Sequence, residues 1–268
     1  MSSGRPPGAH RHGARRHGAE RRAEIMRLLH VNGFQSVTQL TELLNVSDMT
    51  VRRDLKRLSD AGELRIVHGG ASLLHATLRT ADFTSRGAQE SEAKRRIARR
   101  AVSLVDPDAT VAIDAGTTTF ELAAALPDHF HGCVISHSVP VLQHMLNVPR
   151  AQVIGLGGEL LPTSQAFIGP LTIEALSGVR ADTLFLGAAA VGERDLFVST
   201  DHERPTKQAL IACVKRVVLL ADHTKFGAAA PVRLGPLEDV DTLVCDRPLE
   251  PELASAFAAA GVSVLIAE

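Results

Sequence analysis

The chain has no Trp and no Tyr, and nine Phe supply the only large aromatic side chains in its 268 residues. Proteins that bind single-stranded nucleic acid hold the bases mainly by stacking them on aromatic rings. Stacking could use only Phe, His or Arg in this chain. The composition therefore disfavours a protein that binds single strands.

Cysteine is also scarce, because the chain has only Cys133, Cys213 and Cys245, which lie far apart and lack the spacing of metal ligands. An odd number of distant cysteines fits reduced thiols in the cytosol better than a disulfide framework. No apolar run approaches the roughly 20 residues of a membrane span, and the first residues contain no apolar signal segment. We therefore expect a cytoplasmic protein without membrane association, cofactor or metal site.

Two glycine-rich phosphate-binding motifs are missing as well. The run Gly155-Leu156-Gly157-Gly158 breaks the spacing of G-x-G-x-x-G, and no G-x-x-x-x-G-K-[ST] occurs in the sequence. Dinucleotides and nucleoside triphosphates are therefore disfavoured as ligands.

Charge is unevenly distributed along the chain, although the net charge is only −1. Residues 1–73 contain 12 Lys and Arg against 7 Asp and Glu, whereas the remaining residues contain 17 against 23. This asymmetry is typical of a nucleic-acid-binding module joined to a module that binds something else. Residues 1–19, which are rich in Gly, Pro, Arg and His, predict a disordered basic arm.

Residues 46–62 (V-S-D-M-T-V-R-R-D-L-K-R-L-S-D-A-G) predict a helix with one apolar and one cationic face. We expect the hydroxyl of Ser47 to cap its first turn and Gly62 to end it in a left-handed conformation. The apolar face carries Val51, Leu55 and Leu58, and the opposite face carries Met49, Arg52, Arg53 and Lys56. Such a cationic face is either a solvated surface or a surface for a polyanion.

The segment before this helix favours DNA as the polyanion. Residues 36–39 (S-V-T-Q) have the form of a capping box, and Leu40, Leu43 and Leu44 follow at the spacing of a short amphipathic helix. Only residues 45–46 separate the two helices. So tight a turn is typical of a helix-turn-helix, whose second helix enters the major groove of DNA.

A third helix, predicted over residues 20–32, completes a small core. After the cationic helix, residues 63–71 (E-L-R-I-V-H-G-G-A) predict a β-prone run closed by a Gly-Gly turn, as a winged variant of the motif would have. Arg65 and His68 of this wing either contact phosphate or the minor groove, or belong to a strand that simply packs on the helices. Residues 20–73 therefore predict a winged helix-turn-helix DNA-binding domain.

The run from Val46 to Ala71 resembles the DNA-binding signature of the DeoR family of bacterial transcriptional regulators, V-S-x-x-T-[IV]-R-R-D-L-x-x-L-x-x-x-G-x-L-x-R-x-H-G-G-A. Almost every signature position is present; the departure lies in Arg65-Ile66-Val67, which keeps the wing apolar and leaves its basic residue close to where the family has one. We expect the start of the helix to meet base edges and its remaining polar residues to hold phosphates. The candidate DNA contacts are Ser47, Asp48, Met49, Thr50, Arg52, Arg53, Lys56, Arg57, Arg65 and His68.

After a predicted linker at residues 74–92, residues 93–268 alternate between apolar strands and segments of helical periodicity. Strands are predicted over residues 110–114, 133–136, 152–156, 183–186, 217–221, 242–245 and 263–266. Helices are predicted over residues 93–105, 119–126, 139–146, 168–176, 207–214 and 251–260. This alternation predicts an α/β fold with a Rossmann-like, doubly wound parallel sheet covered by helices on both faces.

Several predicted strands end in polar residues, and ligands of doubly wound sheets bind beyond the carboxyl ends of the strands. Residues 114–119 (D-A-G-T-T-T) combine a turn, hydroxyls and the start of a helix, where free N–H groups attract an anion. Alone, this run is typical of an ordinary helix N-cap, but polar groups follow several strands together. The combination of hydroxyls, cations and carboxylates fits a phosphorylated sugar. The candidate effector contacts are Asp114, Gly116, Thr117, Thr118, Thr119, Ser136, His137, Ser138, Gly157, Gly158, Glu203, Lys207, Asp222 and Lys225.

This part of the chain also resembles the sensor domain of the DeoR family, which is similar to ribose-phosphate isomerases. The matching residues include Lys94, Asp114–Thr118, Gly157–Glu159, Phe185–Gly187, Glu203, Lys207, Asp222 and Lys225–Gly227. His137 stands where the family usually has Asn, and Arg204-Pro205 replaces small residues. Both departures lie at the predicted pocket, so the identity of the effector does not carry over.

Together these features predict a DNA-binding transcriptional repressor of carbohydrate-metabolism genes, controlled by a phosphorylated sugar. We expect a homo-oligomer on a palindromic double-stranded DNA operator, because one small domain makes few specific contacts. We do not expect an enzyme. The alternatives are a sugar-phosphate isomerase that moves protons with Asp114, Glu203 and Lys207, and a protein that coats DNA without responding to metabolites.

Overall fold

The computed structural model divides between Ala81 and Asp82 into two compact units. It describes residues 18, 21–29, 34–61, 63–67, 70–73 and 83–268. Several predicted features lie outside these residues: most of the arm at 1–19, the helix stop at Gly62, the wing residue His68 and the first part of the linker. For Arg65 the described part is the backbone.

The first unit contains three helices and a small antiparallel sheet. Its helices are α1 (residues 21–29), α2 (Val37–Leu44) and α3 (Asp48–Asp60). Its strands are β1 (Phe34–Ser36), β2 (Leu64–Val67) and β3 (Gly70–Leu73), in the order β1-β3-β2. Ile25, Leu29, Leu40, Val51 and Leu55 are buried together in its core. The predicted winged helix-turn-helix is confirmed.

One of the two helix caps predicted in this unit is wrong in its hydrogen bond. Ser47 stands at the N-cap of α3, but its hydroxyl bonds no backbone N–H and lies 2.9 Å from the hydroxyl of Thr50. The backbone carbonyl of Ser47 instead accepts from the N–H groups of Thr50 and Val51. Ser36 ends β1, where it pairs with Gly70, and directly precedes α2; its side chain lies outside the described part of the structure, so the capping box stays a prediction. This strand depends on pairing with the distant wing, which local sequence does not reveal.

A buried carboxylate fixes α3 against α1. Asp54 lies on the inner side of α3 and is 1% exposed. One of its oxygens accepts from Arg21 Nε at 2.6 Å, and the other lies 3.6 Å from the Arg22 guanidinium. A buried charge is tolerated only when it is paired, so this contact restricts how α3 can rotate on the core.

The second unit is built on a seven-stranded sheet whose neighbouring strands are all parallel. The strands of the unit are β4 (Thr110–Ile113), β5 (Cys133–Ser136), β6 (Gln152–Gly155), β7 (Glu159–Leu161), β8 (Ala166–Ile168), β9 (Ala181–Gly187), β10 (Ala190–Val191), β11 (Asp195–Val198), β12 (Val214–Leu220), β13 (Val232–Pro236), β14 (Thr242–Cys245) and β15 (Ser263–Ile266). Its helices are α4 (Phe83–Ala88), α5 (Ser91–Val102), α6 (Thr117–Ala124), α7 (Val139–Met145), α8 (Pro170–Ser177), α9 (Arg204–Ala212) and α10 (Pro251–Ala259).

The order of the large sheet is β15-β14-β12-β9-β4-β5-β6. The chain therefore enters at β4, adds β5 and β6 on one side, and then returns to add the other strands beyond β9. The winding direction reverses between β4 and β9. In sheets of this kind the reversal leaves a crevice at the carboxyl ends of the two strands, where ligands bind.

Helices cover both faces of this sheet, as predicted. Leu184 and Leu186 of β9 pack in the core that includes residues of α8, α9 and α10, whereas Phe185 packs in the core that includes residues of α5, α6 and α7. This alternation follows from the opposite directions of successive side chains in a strand. The doubly wound α/β fold is confirmed.

Some elements of this unit differ from the prediction. Helix α4 and the start of α5 lie within the predicted linker at 74–92, and the predicted helix at 168–176 begins only at Pro170 because Ile168 ends β8. The hairpin β7-β8 and the antiparallel sheet β10-β11-β13 were not predicted. None of the helices in the described ranges has the length and apolarity needed to cross a membrane.

Candidate functional site

The outer face of α3 carries the predicted DNA contacts. Met49 is 76% exposed, and the side chains of Arg52, Arg53, Lys56 and Arg57 are exposed with it. Their distribution follows from the inward positions of the apolar residues of α3. A flat run of cations beside one exposed apolar side chain suits phosphates and base edges in a major groove.

The cations of this face are not equivalent. Arg52 Nε donates to Asp48 Oδ1 at 2.5 Å, one helical turn away. This hydrogen bond raises the pKa of Arg52, and the charge of Asp48 adds to the effect. Within the described part of the chain, Arg53, Lys56 and Arg57 form no ion pair. Arg53 can therefore bind DNA without first breaking an ion pair, whereas Arg52 has to leave Asp48.

In the second unit, the carboxyl ends of five neighbouring strands carry polar groups in one row. His137 follows β5, Asp114 follows β4, Gly187 ends β9, Asp222 follows the end of β12, and Asp246 follows β14. Neighbouring strands lie about 5 Å apart, so the row spans about 20 Å. Its centre, between Asp114 and Gly187, is the place where the winding of the sheet reverses.

Asp114 is the hub of this row and is completely buried. Its Oδ2 accepts from the ammonium of Lys207 on α9 and, at 2.9 Å, from the backbone N–H of Gly187. The same ammonium donates to the carbonyl of Gly187 at 3.0 Å. Three elements, β4, β9 and α9, are therefore fixed at one point by a buried ion pair.

The protonation of Asp114 follows from this geometry. Burial alone raises the pKa of a carboxyl, but the charge of Lys207 and the hydrogen bond from His137 outweigh it and lower the pKa of Asp114 to about 2. Asp114 is therefore an anion at neutral pH. Because its negative charge is already matched by Lys207, it does not repel a phosphorylated ligand as an unpaired carboxylate would.

His137 links the end of β5 to this hub. Its Nδ1 donates to the carbonyl of Phe167 at 2.8 Å, and its Nε2 lies 3.1 Å from both the backbone N of Ala115 and Asp114 Oδ1. The side chain is 3% exposed. His137 therefore orients the turn that leads from β4 into α6.

The start of α6 combines hydroxyls with helix N–H groups. Gly116 is its N-cap, and the first N–H groups of a helix have no acceptor within the helix. Within the described residues, the hydroxyls of Thr117 and Thr118 form no hydrogen bond. The predicted anion cradle therefore has two hydroxyls and a helix N-terminus at the reversal point of the sheet.

Other predicted hydroxyls are already used inside the protein. Thr119 donates to the carbonyl of Asp114 at 2.7 Å, and Ser136 donates to the carbonyl of Ile113 at 2.7 Å. Ser138 is the N-cap of α7, where its hydroxyl accepts from Val141. All three shape the strand ends instead of presenting a free hydroxyl.

The two glycines predicted to contact the effector, Gly157 and Gly158, differ in the space around their Cα atoms. A Cβ at Gly158, whose φ is +147°, would lie 2.2 Å from the hydroxyl of Thr172 and 2.7 Å from the carbonyl of Ile168. A Cβ at Gly157 would meet nothing within 4 Å. Gly158 is therefore required for the packing of α8 against this loop, whereas Gly157 borders open space.

A second cluster lies at the end of β12. Asp222 is buried, its Oδ1 accepts from the backbone N–H and hydroxyl of Thr224, and its Oδ2 has no hydrogen-bond partner among the described residues. Lys225 is half-buried nearby and forms no ion pair within the described residues. An orphaned buried oxygen is rare in folded proteins and marks a place where a ligand group or water completes the bonding.

Lys94 of α5 belongs to the same cluster. In the sequence, only the resemblance to the DeoR sensor domain singled it out. Its ammonium donates to the carbonyls of Arg86, at 2.8 Å, and Gln89 at the end of α4. Burial lowers the pKa of Lys94; Asp222 opposes this and Lys225 adds to it. Lys94 therefore connects the strand ends to α4, the first helix of the second unit.

Two further contacts concern the edge of this region. Glu203 precedes α9, and its carboxylate accepts from the hydroxyl of buried Ser164. The sequence did not single out the pair of His223 and Asp246, in which the imidazole Nδ1 lies 2.8 Å from Asp246 Oδ2. No local motif announces this pair, since its two members follow different strands.

Comparison with known proteins identifies both units. The family model of the "DeoR-like helix-turn-helix domain" matches residues 21–77, and that of the "DeoR C terminal sensor domain" matches residues 89–247. The chain belongs to the DeoR family. It is 31% identical to the HTH-type transcriptional repressor CsqR of Escherichia coli, over 85% of this chain and 87% of that protein. It is 32% identical to the glycerol-3-phosphate regulon repressor of the same organism, over 85% and 90%.

Among solved structures, this DeoR-family protein is similar to ribose 5 phosphate isomerase A from Neisseria gonorrhoeae. The likeness has a TM-score of 0.40 and 16% identity, and it covers 52% of this chain and 55% of that one. The chemistry of the strand ends depends on the residues that this chain has there.

Those residues suit binding better than proton transfer. A general base works best when its pKa lies near the working pH. The pKa of Asp114 is lowered to about 2 and both of its oxygens have partners, so it is a weak base. This agrees with the DeoR-family relatives, which are named as repressors and not as enzymes.

We expect the substitution Asp114→Asn to flatten the loss of stability in acid. Because the folded pKa of Asp114, about 2, lies below the unfolded value of 3.8, the ion pair contributes stability above about pH 4 and loses it as the pH falls towards 2. The shift corresponds to about 2 kcal/mol. Denaturant unfolding of the full chain between about pH 5 and pH 2 measures this difference.

The matched control is Asp182→Asn, which removes a carboxylate that is paired with exposed Lys215 and accepts from the backbone N–H of Thr110. Its pH dependence should stay close to that of the wild type, because exposed pairs contribute little. Equal acid sensitivity in the wild type and the Asp114→Asn variant would contradict the prediction.

Proposed function

We propose that this DeoR-family protein represses genes of carbohydrate metabolism and that a phosphorylated sugar, bound by its second unit, controls its affinity for a double-stranded DNA operator. In this proposal it acts as a homo-oligomer, and in the cytoplasm, where bacterial DNA is found. The observation that carries the proposal is the set of polar groups at the reversal point of the large sheet.

The DNA side of the proposal rests on α3. Met49, Arg52 and Arg53 lie in its first two turns, which reach base edges in a helix-turn-helix complex, while Lys56 and Arg57 follow at phosphate positions. Asp54 supports this assignment, because its ion pair with Arg21 holds the opposite side of α3 on the core. A fixed rotation of α3 is what base-specific contacts require.

The effector side rests on two neighbouring sets of groups. The N–H groups and hydroxyls of Thr117 and Thr118 favour a phosphate, and Lys225 adds a cation from two strands away. The unpartnered oxygen of Asp222 can accept from a sugar hydroxyl. The name of one relative, the glycerol-3-phosphate regulon repressor, includes a phosphorylated polyol, which has the same two kinds of group.

Lys94 offers a route from the effector to the DNA-binding unit. Its ammonium lies under the electrostatic influence of Asp222 and Lys225 and holds the carbonyls at the end of α4. Helix α4 begins at Phe83, directly after the division between the units. A ligand that changes the charge beside Lys94 therefore acts on the segment that leads to the DNA-binding unit.

We expect Arg53→Ala to weaken binding to a specific operator by about 1–3 kcal/mol and to weaken binding to random DNA less. The reason is that a bidentate arginine distinguishes a guanine from the other bases. The operator is first selected from random DNA with the purified protein, and both affinities are then measured over a range of salt concentrations.

The matched control is Lys56→Ala on the same helix face. As a phosphate contact, Lys56 should contribute equally to both DNAs, and its loss should reduce the salt slope by about one. If Arg53→Ala weakens binding to operator and to random DNA equally, Arg53 contacts phosphate and does not read a base.

We expect a phosphorylated aldose or ketose to raise the unfolding temperature of the full chain. A ligand that binds only the folded state adds about 2.7 kcal/mol at a hundredfold excess over its Kd, which shifts the midpoint by several degrees. A thermal-shift panel should compare each sugar phosphate with the free sugar and with inorganic phosphate.

The Lys225→Met variant should lose this shift. The control Lys215→Met removes a lysine near the start of β12, the strand that precedes Lys225, where its exposed pair with Asp182 contributes little. If no sugar phosphate shifts the midpoint, or if both lysine variants respond like the wild type, the effector proposal fails. Conversion of any sugar phosphate to an isomer in the same samples would favour the enzyme.

A further inference from the structure

Strand β6 is an uncovered edge of the large sheet. All four of its residues are exposed, and Val153 and Ile154 are each 41% exposed. Strands of parallel sheets are normally buried on both faces. Because neighbouring residues of a strand point to opposite faces, Val153 and Ile154 expose apolar surface on both sides of this edge.

The exposed apolar surface of the second unit is concentrated around this edge. In residues 83–268, the large apolar side chains that are exposed lie on α7 and its end, on β6, on β7 and on α8. They are Leu146, Val153, Ile154, Leu160 and Leu171. By contrast, β15 at the other edge ends in three half-buried apolar residues. Concentration of apolar surface in one place marks an interaction site.

The edge also has opposite charges at its two ends. Arg150 precedes β6 and Glu159 follows it; both are exposed, and within the described residues neither forms an ion pair. If a second copy pairs antiparallel about a two-fold axis between Val153 and Ile154, the turn with Arg150 of each copy comes beside the end of the other's β6, which leads to Glu159. A parallel arrangement would instead place like charges together.

We propose that β6 is the interface through which two copies of this chain associate, by antiparallel pairing of their β6 edges. The pairing satisfies the unused backbone groups of each edge strand, buries the apolar residues on both faces, and joins Arg150 of each copy to the other's Glu159. It rests on the proposed assembly of several copies and locates its interface.

The first test is the mass of the full-length protein in solution. We expect Ile154→Asp to halve the mass per particle measured by light scattering, because it places a charge at the centre of a two-fold contact. The control Ser263→Asp, an exposed position on the opposite edge strand, should leave the mass unchanged. A wild-type chain that stays monomeric at its highest soluble concentration would overturn both the interface and the proposed assembly.

The second test exchanges the charges and does not depend on the apolar centre. Arg150→Glu and Glu159→Arg should each raise the dimer Kd about tenfold or more, since every substitution acts twice in a two-fold interface. The double variant should restore the wild-type Kd. An assembly whose Kd is unchanged by Ile154→Asp and by both single charge variants would overturn the β6 interface while leaving the assembly itself in place.

Discussion

The buried ion pair between Asp114 and Lys207 determines the layout of the second unit. It fixes the end of β4, the end of β9 and helix α9 at the point where the sheet reverses its winding. Burying two charges is costly unless they meet each other, so the pair tolerates little displacement. The start of α6 and the polar ends of β5 and β12 are arranged around this fixed point.

The DNA-binding unit uses the same physical device on a smaller scale. Asp54 is buried on α3 and meets Arg21 and Arg22 of α1, so the face that bears Met49 and Arg53 is turned outward. In each unit a buried carboxylate, matched by a cation from a helix, orients the element that would meet the ligand. Neither acid is itself available to the ligand, because both of its oxygens are already used.

Most of the architecture could be predicted from the sequence, because helix and strand periodicities and the cationic face of α3 are local patterns. Contacts between distant residues were not predictable in this way. The pairing of β1 with the wing, the tie from Asp54 to Arg21 and the pair of His223 with Asp246 join segments that carry no common motif. Thr119, Ser136 and Ser138 looked like ligand groups, but only the structure reveals that their hydroxyls hold the backbone.

The central claim is that a metabolite bound at the strand ends controls a separate DNA-reading helix. It is tested most directly by measuring operator affinity with and without a saturating sugar phosphate, in the wild type and in the Lys225→Met variant. The account predicts a change of about tenfold or more in the wild type and none in the variant. An unchanged affinity in a wild-type protein that has demonstrably bound the ligand, or an equal response in the variant, would contradict it.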